Sequence, residues 1–167
     1  MHESLDAAQY LRCLQQIYGV VAAWEESAIK VAPKWMQPML ISRQRRALLD
    51  LDLAWFGATM QDNRRPILPQ MNDLPSLLGT MYVMEGSTLG GQLIARHVET
   101  TLHLNEGHGI AFFRGHGDRT GQMWKAFCEF LKLQITEEQT NTVVVAANAM
   151  FATYGEWMKE KSAIDVS

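Results

Sequence analysis

Cysteine is nearly absent: Cys13 and Cys128 are the only two in 167 residues, far apart and without a CxxC pair. That excludes a disulfide framework, a zinc ribbon and a thioredoxin-like redox motif, and it suits a reducing compartment. No apolar run approaches the roughly 18 to 20 residues that a membrane-spanning helix needs. The opening stretch MHESLDAAQYLRC carries acidic residues where a signal peptide needs cations. A cytoplasmic protein with no membrane partner is expected. An excess of positive charge is missing too. The formal net charge is −3, so the overall field gives no reason to expect nucleic acid as a partner. The basic clusters at Arg43, Arg45 and Arg46 and at Arg64 and Arg65 are short, and read as solvated helix face or loop. None of the histidines forms an i,i+4 pair or has a cysteine beside it, which argues against zinc.

Period-2 alternation is scarce as well, whereas apolar residues recur at spacings of three and four almost everywhere. The length and an apolar share of 47% fit one all-α domain with a core of its own. Tyr10, Leu14, Ile17, Val21, Trp24 and Ala28 trace one face of a first helix, capped by Ser4 or Asp6 and closed by Pro33. A short piece interrupted by Pro38 follows. Ser42 then opens a helix whose shared face is Leu49, Leu53, Phe56 and Met60. Pro66 and Pro69 mark a connecting loop. Asn72 or Asp73 caps the next helix, with Pro75 in its first turn. That pattern continues to Leu104. A straight helix of roughly 30 residues would reach about 45 Å, so a bend is expected at Gly86, Gly90 and Gly91. Gly107, Gly109, Gly115 and Gly117 read as a long loop. Asp118 starts a further helix, and Thr136-Glu-Glu-Gln139 is a capping box opening the last one. The local strand signal of Val143, Val144 and Val145 is outvoted by its helical surroundings.

The most informative segment is Met81-Tyr-Val-Met-Glu-Gly-Ser-Thr-Leu-Gly-Gly-Gln92. Gly86 and Gly90 lie one turn apart on one helix face, with Ser87 and Gly91 beside them. Three helical glycines cost about 2 kcal/mol or more relative to alanine, so something bulky or flat is expected to approach that face. A tight helix–helix crossing of small residues is one reading. A planar cofactor lying on bare backbone is another. A phosphate loop is not, because Gln92 stands where a GxxxxGK signature needs lysine.

The string Gly79-Thr-Met-Tyr-Val-Met-Glu-Gly-Ser-Thr-Leu-Gly-Gly-Gln-Leu-Ile-Ala-Arg-His97 resembles the distal helix of haem oxygenases. Its EGSTLGG core is most similar to the bacterial branch that supplies biliverdin to bacteriophytochromes. Further pieces agree in order: Tyr18-Gly19 with Glu25, Asp52-Leu53 with Phe56-Gly57, Phe112-Phe113 with Gly117, and Trp124 with Phe127. The resemblance implies a haem oxygenase-like multi-helix bundle, with a kinked glycine-bearing helix lining the cofactor pocket. It also implies haem as both substrate and cofactor, cleaved oxidatively to biliverdin with release of CO and iron. A ferredoxin or flavodoxin would donate electrons, and a bacteriophytochrome is an implied partner. Gly86, Ser87 and Gly90 would form the catalytic, oxygen-facing side, with Gly86, Gly90 and Gly91 against the haem.

Several positions depart from the family pattern. Ser87 stands where many members carry an aspartate; a hydroxyl organises water but carries no charge. Lys125 corresponds to a basic residue that holds a haem propionate, with Arg119 as the alternative, while Glu129 one turn on would repel one. The family's iron ligand is a histidine on its first helix. His2 is a candidate metal ligand, but the better alignment runs Leu5 to Tyr10 into the family's second helix, so the expected domain, 1–167, lacks the proximal helix. His97 and His103 are expected at the surface or pocket edge. A non-catalytic module binding haem, another tetrapyrrole or a partner protein is the competing expectation.

Overall fold

Helix α1, Ala7–Val31, begins where Asp6 accepts from the backbone N–H of Gln9 at 2.7 Å while the Gln9 side chain accepts from the Asp6 N–H, a complete capping box. In the computed structural model, which describes residues 5–60, 63–105 and 107–160, this helix is the spine of the molecule. All six residues of its expected apolar face are buried. It is tied to the C-terminal helix α8, Thr140–Lys159, through Gln16 and Trp157: each side chain donates to the other's backbone carbonyl, the indole at 2.6 Å.

Between these lie the short helix α2, Gln37–Ser42, and α3, Arg46–Trp55. Ser42 therefore ends a helix, where it was expected to open one. The break has a specific cause: the Arg45 backbone N–H donates to the buried Glu25 carboxylate at 2.6 Å, and Arg45 takes a non-helical φ of −124°. Phe56 caps α3 from outside, and Met60 lies beyond it.

Helix α4, Leu74–Gly86, starts from Asp73 and Ser76 in a reciprocal cap, with Pro75 in the first turn. It is buried nearly all round, which marks a central helix rather than an amphipathic surface one. Trp24 of α1 donates to Thr80 on one side at 2.9 Å. On the other side Gly79 meets α8 so closely that a Cβ there would stand 2.4 Å from the Val143 carbonyl and 2.7 Å from the Ala146 methyl. The tight small-residue crossing thus exists, but at Gly79.

The expected bend is a four-residue turn, Ser87 to Gly90, before α5, Gly91–Leu102. The N–H groups of Thr88, Leu89 and Gly91 bond to carbonyls three residues back, at 3.1, 3.1 and 3.2 Å, which tightens the chain there. The glycine-rich stretch after α5 contains a short helix, α6, Ala111–Arg114, because both Asp52 carboxylate oxygens cap it, accepting from Ala111 at 2.7 Å and Phe112 at 2.9 Å. Gly107, Gly109, Gly115 and Gly117 all have positive φ, which accounts for glycine at these turns. Helix α7, Thr120–Gln134, follows a 3-10 turn, and the capping box at Thr136 and Gln139 leads into α8. Val143 lies within α8 as helix. No strand occurs among the described residues.

Candidate functional site

A largely apolar cavity of about 500 Å³ opens beside the turn between α4 and α5. Gly86 and Ser87 form one wall with Tyr82 and Val83; Ile94, Phe112 and Phe113 form a second; Phe151, Tyr154 and Gly155 of α8 form the third. Its shape follows from the neighbouring contacts. Gly79 draws α4 onto α8, and Asp52 holds α6 so that Phe112 and Phe113 face inward.

The glycines of the motif divide by role. Gly86 lines the cavity and touches the Trp124 ring: an added Cβ would stand an ordinary 3.5 Å from it. Gly90 faces open space, with no atom within 4 Å of where its Cβ would be. Gly91 is buried, and its Cβ would lie 2.2 Å from the Phe113 carbonyl oxygen. A backbone atom cannot yield there, so glycine at 91 is required to pack α5 against α6. Gly86 and Ser87 are therefore brought together on the cavity wall, Gly90 is exposed one turn further along and is not among the described residues lining the cavity, and Gly91 points into a helix junction.

Behind Ser87 stands a charged network that the sequence reading placed in solvent. The cluster at Arg43, Arg45 and Arg46 is not a solvated face: Arg43 and Arg45 point inward, and only Arg46 reaches the surface, bonding to Tyr18 and Glu26. Arg43 pairs with Glu85 at 2.5 Å, both side chains almost fully buried, and also donates to the Met123 carbonyl. Arg45, 6% exposed, donates to the Met84 carbonyl and the Ser87 hydroxyl, each at 3.0 Å, and its guanidinium lies 4.6 Å from the centre of the Phe112 ring. A buried charge needs partners of this kind. Glu25 and Glu85 are their carboxylate counterparts. Burial pushes both carboxyls up, opposed at Glu25 by the backbone N–H groups of Arg45 and Arg46 and at Glu85 by Arg43. Burial pulls Arg45 down, and the Tyr154, Glu85 and Glu25 groups oppose that.

Ser87 is consequently held in one orientation. Its hydroxyl donates to the Met84 carbonyl at 2.6 Å and accepts from Arg45. Its one proton is committed to the helix, so toward the cavity it offers only an acceptor lone pair. Tyr82 and Tyr154 bring phenols to the wall as well, and Tyr154 is the less exposed of the two. Burial pushes its phenol up to about 12, so it stays protonated and able to donate throughout the neutral range.

Lys125 lies exposed on α7 and is not among the described residues lining the cavity; Arg119 and Glu129 are exposed too. His97 and His103 are exposed, and His108 stacks on Trp55, ring centres 4.5 Å apart. His116 keeps a buried Nε2 without a hydrogen-bond partner among the described residues. Burial lowers its pKa, with Arg45, Arg43 and Arg119 adding to the effect. His2 lies outside the described residues. No histidine, lysine or arginine occurs among the described residues that line the cavity. Neither the bond from Arg45 to Ser87 nor the place of Tyr154 on the wall is legible in the sequence. The one available signal for Arg45 was Glu25, a carboxylate directly after the apolar run 20–24 of α1.

Comparison with known proteins agrees with this architecture. The family model described as "Heme oxygenase" matches residues 1–160. Heme oxygenase PigA of Pseudomonas aeruginosa is 26% identical over 123 residues, which cover 73% of this chain. The matched chain spans only 62% of that relative's length. Crystal structures of NO- and CO-bound heme oxygenase from Neisseria meningitidis include a chain similar to this one with a TM-score of 0.70 at 22% identity, covering 95% of this chain and 78% of that one. Likeness at that identity speaks for the fold.

Proposed function

The chain belongs to the haem oxygenase family, and from that premise we propose that it takes haem into the cavity beside Gly86 and opens it oxidatively to biliverdin, CO and iron. The observation that supports this best is the conjunction of a 500 Å³ apolar slot with a wall that is bare backbone at Gly86. Haem, when bound, supplies the oxygen-activating chemistry; the protein supplies position and access.

The residues fit such a flat, mostly apolar ligand. Phe112, Phe113, Phe151 and Ile94 exclude water from most of its surface. Absence of a side chain at Gly86 lets the ring come close to peptide groups, and the open space at Gly90 would let it extend past the turn. Ser87, fixed by Arg45, orients a water through its remaining lone pair, while protonated Tyr154 offers a donor from the opposite wall. In a slot poor in water such polar contacts count for more. Lys125 would reach a propionate only at the mouth, since its side chain is exposed on α7. His2, or an imidazole brought by another segment or molecule, would ligate the iron. Ferredoxin or flavodoxin as reductant, bacteriophytochrome as recipient of biliverdin, and the cytoplasm as location belong to the same proposal, and rest on the resemblance of the EGSTLGG segment.

The test is reconstitution. Haemin is titrated against the full chain, with and without added imidazole, and the Soret band is recorded. Reductant under air should then replace that band by verdohaem and biliverdin absorption. A second reading, a module that binds haem or another tetrapyrrole without turning it over, is favoured by the lack of an imidazole among the described lining residues. It predicts a stable Soret band that reductant does not bleach, even with imidazole present.

A further inference from the structure

Tyr82 and Trp124 meet at the edge of the cavity with ring centres 5.1 Å apart and planes inclined by 60°. Tyr82 lines the cavity and is 42% exposed. Trp124 packs against the bare face of Gly86, and its other neighbour is the buried Phe127 ring at 6.0 Å. The two most readily oxidised ring types therefore lie in contact with each other, Trp124 against Gly86 of the cavity wall and Tyr82 both on that wall and exposed to solvent.

We propose that Tyr82 and Trp124 form a one-electron redox pair that draws stray oxidising equivalents out of the cavity and carries them to the surface. This rests on the reading of the cavity as a haem site only for the source of the oxidant; the pair itself is a property of the described side chains. The steps balance as follows. A one-electron oxidant takes an electron from the Trp124 indole, which releases its N–H proton to solvent and becomes a neutral indolyl radical. Tyr82 then passes an electron to that radical and its phenolic proton to water, while the indole nitrogen regains a proton. Trp124 is restored, and the unpaired electron rests on Tyr82. With a hydroxyl radical derived from peroxide as the oxidant, that one electron and the one proton released by Tyr82 convert it to one water.

The geometry favours Tyr82 over the other tyrosine on the wall. Tyr154, on α8, is less exposed than Tyr82, and burial holds the proton on its phenol, so losing it on oxidation is unfavourable. Tyr82 sits where water can take the proton at once. The ring contact, a neighbour usually read as packing, places donor and acceptor close enough for direct transfer with no intervening residue.

Two arms test this on the full chain. In the first, without haem, azide radicals generated by pulse radiolysis oxidise tryptophan, and the decay of tryptophanyl absorption is followed against the growth of tyrosyl absorption. Tyr82→Phe and Trp124→Phe should each remove the fast phase of that transfer, whereas Tyr154→Phe should leave it. In the second, haemin-loaded protein is treated with peroxide, frozen, and examined by electron paramagnetic resonance and peptide mapping. The tyrosyl signal should be lost in Tyr82→Phe and kept in Tyr154→Phe, with oxidation products in wild type mapping to the peptides holding residues 82 and 124. Circular dichroism confirms folding of each variant, and the Soret titration reports haem uptake separately. If haemin does not bind, the cavity reading fails while the first arm still decides the pair. A fast phase that survives in both Tyr82→Phe and Trp124→Phe overturns the proposal, as does a peroxide-induced tyrosyl signal unchanged in Tyr82→Phe.

Discussion

Substituting Gly90 and Gly91 separately should pull apart two properties that the sequence presents as one motif. At Gly91 an added methyl collides with the Phe113 carbonyl at 2.2 Å, and relief requires α5 and α6 to separate. Overpacking of this kind costs about 1–3 kcal/mol, and the backbone nature of the obstacle places Gly91→Ala toward the upper end. At Gly90 a methyl meets nothing within 4 Å, and the backbone is already helical at φ −82° and ψ −9°. Removing a glycine there should stabilise the chain by about 0.5–1 kcal/mol. For a domain of this size each kcal/mol shifts the melting temperature by about 2–4 °C. Gly91→Ala should therefore melt several degrees below wild type, and Gly90→Ala slightly above it. Haemin titration should give the opposite order of damage once bulk is added at 90: Gly90→Leu should fold as well as wild type and lose haem uptake. Thermal melts by circular dichroism and Soret titrations of the three variants measure both. If Gly90→Leu takes up haem normally, or Gly91→Ala melts with wild type, the division of labour between these two glycines is wrong.

Other outcomes follow from the same geometry. Arg45→Met should cost about 3 kcal/mol in urea unfolding, because it removes a buried positive charge that both Glu25 and Glu85 feel and leaves the Met84 carbonyl and Ser87 hydroxyl without a donor; a loss under 1 kcal/mol, well below that range, would contradict the network. Tyr10→Phe removes the 2.8 Å bond to the Gly109 carbonyl and should cost about 1–2 kcal/mol by the same assay. His116 carries a pH prediction. Its folded pKa lies below the ordinary 6.5, so the folded state binds that proton less readily than the unfolded chain. Its contribution to stability is complete above the unfolded value and is lost as pH falls through the folded one. His116→Gln should flatten the fall in urea midpoint on the acid side of about pH 6.5, while changing the midpoint at pH 8 much less; equal slopes in both proteins would refute the assignment.

How much of this was legible beforehand depended on whether a residue's role was local or distant. The face of α1, the caps at Asp6, Asp73 and Thr136, and the break after Gly86 are set by neighbours within a turn or two, so spacing alone exposes them. The division among Gly86, Gly90 and Gly91 is not local. It depends on Phe113 arriving from more than twenty residues away, and consecutive glycines look alike until it does. The misplacement of Arg43 and Arg45 has the same origin. A charged run is ordinarily solvated, and only Glu25 and Glu85 reaching across from α1 and α4 make burial affordable. Phe151 and Tyr154 join the cavity because Gly79 admits α8, a crossing whose partners lie more than sixty residues apart. Lys125 rests on family alignment alone; it is exposed on α7, and no local pattern of residues marks it as a partner for a ligand.

The contact between Gly91 and Phe113 has a mechanical consequence. Gln92 donates to the Arg114 carbonyl at 2.8 Å, and Arg114 returns bonds to Gln92 and Glu99, so α5 and α6 are welded along their length. Gly79 fastens α4 to α8 in the same manner. The slot accordingly lies on the seam between two stiff pairs of helices, joined directly in sequence by four residues, 87 to 90. Any ligand touching both Gly86 and Phe113 bridges that seam, and its grip should register first as slowed hydrogen exchange at the amides of the joining turn.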